Sequence, residues 1–268
     1  MNAPPRPKSA TPCAIPDLPL ANEIAGIDAC VHCGFCLQSC PTYLTLADEN
    51  DSPRGRIVLM RALVEGTLPV GDPDVRTHID RCLGCRACET VCPSGVPYGQ
   101  MLEATRATLT TNERNAPIAR AILFAFARPA LLSLAMLGGR IARALRISAL
   151  LSRLPGRFGF SMAMLESTRA PLRRASYTPQ GDGSRGTATL LTGCVMEGLF
   201  TETNRATERT LAANDFAMVR TEGQGCCGAL HAHAGDLEAA RRLARRNIAA
   251  FEASQAEYVV VNAAGCGA

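Results

Sequence analysis

The chain has 268 residues, 47% of them hydrophobic and 19% charged, with a formal net charge of +4. This excludes a polar disordered polymer and allows one large domain or two modest ones. Aromatic residues make up only 4% and tryptophan is absent, so the core must be largely aliphatic.

Four regions follow in chain order. Residues 1–20 hold six prolines and read as a loose arm, with Cys13 as a spectator thiol. Residues 21–112 contain two copies of one cysteine run, Cys30-Val-His-Cys33-Gly-Phe-Cys36-Leu-Gln-Ser-Cys40-Pro41 and Cys82-Leu-Gly-Cys85-Arg-Ala-Cys88-Glu-Thr-Val-Cys92-Pro93. Between them Ile57, Met60 and Val64 follow a helical period, leaving Arg56, Arg61 and Glu65 for other faces. Pro53 and Gly66 bound this helix. A second helix is expected from Tyr98 to about Thr110. The reading is an α-helical ferredoxin domain rather than a small β-rich one.

Residues 113–186 form a basic, apolar helical linker. Eleven arginines between Arg114 and Arg174 face one acidic residue, Glu166. The apolar runs 121–127 and 130–137 are each too short to span a bilayer, and Arg128-Pro129 interrupts them. Two readings stand: a basic surface resting on anionic lipid, or helices packed on partner subunits. The second is slightly favoured. Residues 187–268 alternate apolar strands (187–192, 216–219, 258–261) with helices (201–213, 236–253), which implies a parallel sheet. Thr201 is a candidate N-cap. The fold class is α+β: a helical ferredoxin domain, a helical linker and an incomplete α/β domain.

Thirteen cysteines in a chain of this length, with no secretory signal at its start, point to metal-bound thiolates in a reducing cytosol rather than to disulfides. Each run reads C-x2-C-x2-C-x3-C-P, the spacing that ligates [4Fe–4S] clusters. Zinc is the competitor, since C-x2-C pairs bind it too, but zinc sites rarely repeat this longer run. In such runs the fourth cysteine ligates the other cluster. One cluster then takes Cys30, Cys33, Cys36 and Cys92, and the other takes Cys82, Cys85, Cys88 and Cys40. Pro41 and Pro93 turn the chain away from helix at the fourth ligand. Gly34 and Gly84 relieve crowding beside the sulfides. His32 either tunes the first cluster by its charge or is a plain surface histidine.

A second constellation comprises Cys194, Cys226, Cys227 and Cys266. Each follows an expected strand, and ligands gather beyond the carboxyl ends of parallel strands. The four thiols are therefore candidate ligands of a further cluster, against a reading as structural cysteines in glycine-rich turns. His231 and His233 follow the Gly223-Gln-Gly-Cys-Cys-Gly228 loop, either as ligands or proton donors or, more simply, as helix-entry histidines. No residue stands out as catalytic.

The segments Cys30–Cys36, Ser39–Tyr43, Ser52–Ile57 and Cys88–Gly95 resemble the iron–sulfur subunit of glycolate oxidase (glycolate dehydrogenase). The Cys194, Cys226-Cys227 and Cys266 pattern is similar to one copy of that family's cysteine-rich CCG domain. The resemblance implies an electron-transfer subunit. It would relay electrons from FAD-containing subunits, which oxidise glycolate to glyoxylate, toward a membrane quinone-type acceptor. FAD would sit on the partners only, and nucleic acid is not an expected partner. Localisation would be cytoplasmic or peripheral on the inner face of the membrane. Related CCG proteins imply lactate, glycerol-3-phosphate or heterodisulfide oxidoreductases as alternatives. The family carries two CCG halves, so the chain is expected to be truncated within the first.

Overall fold

The computed structural model describes residues 13–168 and 181–267, which divide into two compact units. The first runs to Ala116 and takes in Leu230–Glu238; the second holds Pro117–Ala229 and the chain from Ala239 onward. The fold is α+β, and among the described residues the strands lie in the second unit.

Among the described residues the first unit is helical: α1 (Ile24–Asp28), α2 (Pro41–Leu46), α3 (Pro53–Glu65), α4 (Pro73–Asp80), α5 (Ala87–Thr90) and α6 (Tyr98–Asn112). Helix α3 begins where Ser52 accepts a hydrogen bond from the Gly55 N–H and Pro53 fills the first turn. It ends at Gly66, whose φ of 75° closes the helix in the left-handed region. Helix α4 carries no strong sequence signal, but Asp72 caps it through the Asp74 and Val75 N–H groups.

Leu20, Ile27, Met60, Leu63, Ile79, Met101 and Leu102 form one core with almost no solvent exposure. The proline-rich arm is shorter than its composition suggests. Cys13 and Ile15 pack on that core, Leu20 is buried within it, and the Ala14 N–H donates to the Val64 carbonyl at 2.6 Å. Residues 1–12 of the arm lie outside the described residues.

Arg56 also departs from expectation. Its place in the α3 pattern suggests a polar face, yet its side chain is 0% exposed. It bonds Asp51 at 3.2 Å, the His78 carbonyl at 2.7 Å and Thr42 Oγ1 at 3.1 Å. His78 Nδ1 and Arg81 meet the same carboxylate at 3.1 and 2.8 Å. A buried ion pair is tolerable only when its remaining donors and acceptors are met in this way.

In the second unit, α7 (Pro117–Phe126), α8 (Pro129–Ala144), α9 (Ile147–Leu151) and α10 (Gly156–Glu166) precede β1 (Thr187–Leu190), α11 (Val195–Leu199), α12 (Thr201–Ala213) and β2 (Ala217–Met218). Then come α13 (Ala229–His233), shared with the first unit, α14 (Leu237–Ser254), β3 (Tyr258–Val260) and a helical turn, Ala264–Gly267. The sheet is parallel, in the order β2-β1-β3, with Ala188 opposite both Met218 and Tyr258. Strand β1 is central, and its Ala188, Thr189 and Leu190 are buried.

Thr201 is the first residue of α12 rather than its cap, because its hydroxyl is committed to the Glu197 carbonyl at 2.8 Å. The segment expected as a linker packs within this unit. Arg140 of α8 is buried and donates to the carbonyls of Gly198 and Glu197 at 2.6 and 3.0 Å. Among the described residues no single helix is long and apolar enough to cross a membrane; α7 and α8 would pass together but bend by 105° at their break.

Candidate iron–sulfur sites

The first unit gathers its eight run cysteines around two cavities. Cys30, Cys33, Cys36 and Cys92 line one, and Cys40, Cys82, Cys85 and Cys88 line the other. The fourth cysteine of each run thus sits with the first three of the other. Pro53, Cys88 and Tyr98 contribute to both cavities, so the two sets abut.

Both runs follow the same backbone track. The residue before the second cysteine is left-handed in each, His32 with φ 53° and Gly84 with φ 65°. So is the residue after it, Gly34 with φ 85° and Arg86 with φ 57°. Glycine takes this conformation freely, whereas a side chain costs roughly 1–2 kcal/mol there. Each run therefore meets one such position with glycine and bears strain at the other. His32 is explained first as a strained loop residue. After Cys40, which is extended, Pro41 opens α2.

The donor chemistry fits a thiolate-bound metal group. Burial pushes the Cys88 thiol up to about 12, aided by Cys82, Glu89, Cys36 and Cys85 nearby. Burial also raises Cys36, beside Cys30 and Cys33. Four thiols this close resist shared ionisation unless a cationic centre takes up the charge. Tyr98 adds a polar contact, donating its hydroxyl to Cys82 Sγ at 3.6 Å. Burial holds its phenol well above the usual value, so it remains a donor.

The second unit brings Cys194, Cys226, Cys227 and Cys266 together beyond the carboxyl ends of its strands. Cys194 and Cys226 Sγ lie 3.7 Å apart. The Cys227 sulfur interacts with those of Cys226 and Cys266. The close sulfurs shift one another, lowering Cys194 and Cys227 and raising Cys226 and Cys266, and a bound cation would hold all four as thiolates. A cavity of about 240 Å³ lies beside Cys194 and Cys226, walled in part by Leu132, Met136 and Arg140.

The residues that hold these loops carry no sequence signal. Asn247 accepts from the Gly225 N–H and donates to the Cys226 carbonyl, at 2.8 and 2.9 Å. Gln224 accepts from the Thr192 N–H at 2.9 Å and donates to the Leu190 carbonyl at 3.2 Å. Asn204, fully buried, donates to the Thr192 carbonyl and to Glu197, both at 2.9 Å. By contrast, His231 and His233 belong to the first unit, where His231 is buried and His233 faces Glu103 at 3.6 Å.

Residues 26–96 match the family described as a 4Fe-4S dicluster domain, and residues 188–268 match the CCG family, described as a cysteine-rich domain. The chain is 37% identical over 254 residues to a probable glycolate oxidase iron-sulfur subunit of Bacillus subtilis, covering 89% of this chain and 57% of the relative. It is 35% identical over 251 residues to the glycolate oxidase iron-sulfur subunit of Escherichia coli, covering 90% and 56%. A shorter match, 29% identical over 103 residues, is to one subunit of the dihydromethanophenazine:CoB–CoM heterodisulfide reductase of Methanosarcina barkeri, covering 33% of this chain and 25% of that relative. The chain thus spans little more than half the length of the two glycolate oxidase relatives. No solved structure matches it. Over most of its own length the chain is thus similar to glycolate oxidase iron–sulfur subunits, with one segment that matches a 4Fe–4S dicluster family and another that matches the cysteine-rich CCG family.

Proposed function

We propose that this chain is an electron-transferring subunit that holds two [4Fe–4S] clusters and passes electrons between protein partners. Cys30, Cys33, Cys36 and Cys92 would hold one cluster; Cys40, Cys82, Cys85 and Cys88 would hold the other. The observation that carries this reading is the sorting of eight run cysteines into two crossed sets of four. A bound cubane supplies one-electron chemistry, at a potential set by hydrogen bonds, charge and exposure. The protein's own share is to present thiolates, to exclude water with the α3 and α6 core, and to keep the two sets adjacent through Cys88 and Tyr98. Cys194, Cys226, Cys227 and Cys266 would hold a further metal group.

The likeness to glycolate oxidase iron-sulfur subunits supports glycolate oxidation as the source of electrons; FAD-containing partner subunits upstream and a quinone-type membrane acceptor downstream complete the proposal. The exposed apolar side chains of α7–α10, among them Ile118, Leu134, Phe158 and Phe160, fit a surface covered by such partners. The alternative is a related lactate, glycerol-3-phosphate or heterodisulfide oxidoreductase, the last, in which the disulfide accepts the electrons, favoured by the shorter match to a heterodisulfide reductase subunit.

Anaerobic reconstitution followed by metal and sulfide analysis tests the cluster reading. Roughly four irons and four acid-labile sulfides per cysteine set support it. Stoichiometric zinc without sulfide ends it. Co-purification with flavoproteins, followed by reduction of the complex with glycolate, lactate or glycerol 3-phosphate, separates the donors.

A further inference from the structure

The two cysteine sets of the first unit differ in their surroundings. Each has one surface arginine paired to a glutamate: Arg54 with Glu49 at 2.5 Å beside the first, Arg86 with Glu89 at 2.8 Å beside the second. These pairs offset one another. His32 and Ser94 also line the first cavity, and Tyr98 lines both, but the side-chain contacts to sulfur fall at the second set. Tyr98 donates its hydroxyl to Cys82 at 3.6 Å, and Thr42 Oγ1, which donates to the Asp51 carbonyl at 2.9 Å, lies 3.1 Å from Cys40 Sγ. Arg56 lines the second cavity and not the first, and its guanidinium bonds that same Thr42 hydroxyl at 3.1 Å. Its partner Asp51 is shared with Arg81 and His78, so two guanidiniums face one carboxylate. Among the described residues the first set's sulfurs meet the backbone N–H of Arg54, at Cys36, and no side-chain hydroxyl.

Reduction adds one negative charge to a cluster and its thiolates. A hydroxyl donor at a ligand sulfur, as Tyr98 is to Cys82, and a buried cation linked to the site through Thr42, as Arg56 is, stabilise that charge. We propose that Tyr98, Thr42 and Arg56 make the Cys40/Cys82/Cys85/Cys88 site the higher-potential one, so that an electron arriving at the Cys30/Cys33/Cys36/Cys92 site moves on to it. In that step one site is oxidised by one electron and the other is reduced by one; no proton and no covalent bond is exchanged. The direction of flow through the first unit is then fixed by residues outside the cysteine runs. Tyr98, Thr42 and Arg56 are positioning residues, acting through the ligands.

The inference rests on the two-cluster reading. The test is an EPR-monitored redox titration of the full chain, reconstituted anaerobically, with Cys33→Ser and Cys85→Ser assigning each signal to its site. The expected result is two potentials, the higher belonging to the signal that Cys85→Ser disturbs. Tyr98→Phe removes one hydroxyl and is expected to shift electron partition about tenfold toward the other site. That is a drop of about 59 mV in the upper potential, the lower staying in place. Thr42→Val, at a half-buried position, gives the same direction and serves if Tyr98→Phe loads poorly. Equal potentials, a higher potential at the Cys33 signal, or variants that move neither overturn the proposal. Iron and sulfide counts separate the two failures. A wild-type chain without clusters overturns the cluster reading and this proposal together, whereas two loaded clusters of equal potential overturn this proposal alone.

Discussion

In the first unit eight cysteines sit over a closed aliphatic core, tied down by a buried Arg56–Asp51 pair and by helices with defined caps. In the second unit four cysteines hang from three loops at the end of a sheet whose strands run two to four residues. Side-chain amides, not apolar packing, fix those loops. The flanking helices leave many large apolar side chains exposed. The first unit has the internal support to fix ligand geometry by itself, whereas the second depends on a thin hydrogen-bond scaffold and presents surface suited to further protein. Rigid support keeps a redox centre's surroundings constant, and with them its potential.

The sharpest way to break this contrast is to remove one member of the buried ion pair. Asp51→Ala leaves Arg56 without its carboxylate and is expected to cost about 3–5 kcal/mol in denaturant unfolding of the loaded chain. The same carboxyl predicts a pH dependence. Burial alone would raise it, but bonds from His78 and Arg81 and the charge of Arg56 outweigh burial and hold it below the usual carboxylate range. A lowered folded-state value means that the stabilisation is complete above roughly pH 4 and fades as pH falls through the lowered value. Asp51→Asn is expected to flatten that acid limb, read from unfolding midpoints across pH.

The second unit's scaffold is expected to yield at smaller cost. Asn204→Ala strands the Thr192 carbonyl and should destabilise this unit by about 1–3 kcal/mol, while leaving the signals of the first unit's clusters unchanged by EPR. Smaller again are changes on the shared left-handed track. Gly84→Ala and Gly34→Ala should each cost roughly 1–2 kcal/mol for the left-handed backbone, the flexible end of Arg54 being able to move off the new methyl at Gly34. His32→Gly and Arg86→Gly should relieve strain and raise the thermal midpoint slightly. The smallest effect belongs to the exposed apolar face. Phe160→Ser should change the chain's own stability by no more than about 0.5 kcal/mol, yet weaken co-purification with partner subunits.

Much of this is legible in the residues. Pro53 and Gly66 bracket α3, and Tyr98 opens α6, because turn chemistry and helical period agree there. Thr201–Ala213 is a helix over the expected range, and the parallel sheet follows from strand–helix alternation. Run chemistry leads one to expect the crossed grouping of Cys40 and Cys92 as ligands; in the structure Cys92 lines one cavity and Cys40 the other, with Cys88 lining both.

What stays hidden depends on contacts across long stretches of chain. Arg56 looks like a surface residue because its partners, Thr42, Asp51 and the His78 carbonyl, meet it only after folding. Asn204, Gln224 and Asn247 are ordinary polar residues until β1 and the cysteine loops reach them. Gly34 and Gly84 advertise their backbone freedom, while His32 and Arg86, at the matching positions, do not. The basic helices read as a linker because their packing partners α11 and α12 lie far along the chain.

Cys40 tests the central claim most directly. It belongs to the first run by sequence, but it lines the cavity of the second. The measurement is the low-temperature EPR spectrum of the reduced, reconstituted Cys40→Ser variant, set beside those of Cys33→Ser and Cys85→Ser. Two crossed clusters predict that Cys40→Ser disturbs the same signal as Cys85→Ser and leaves the Cys33 signal in place. Disturbance of the Cys33 signal instead would contradict the crossed arrangement and return each run to a site of its own.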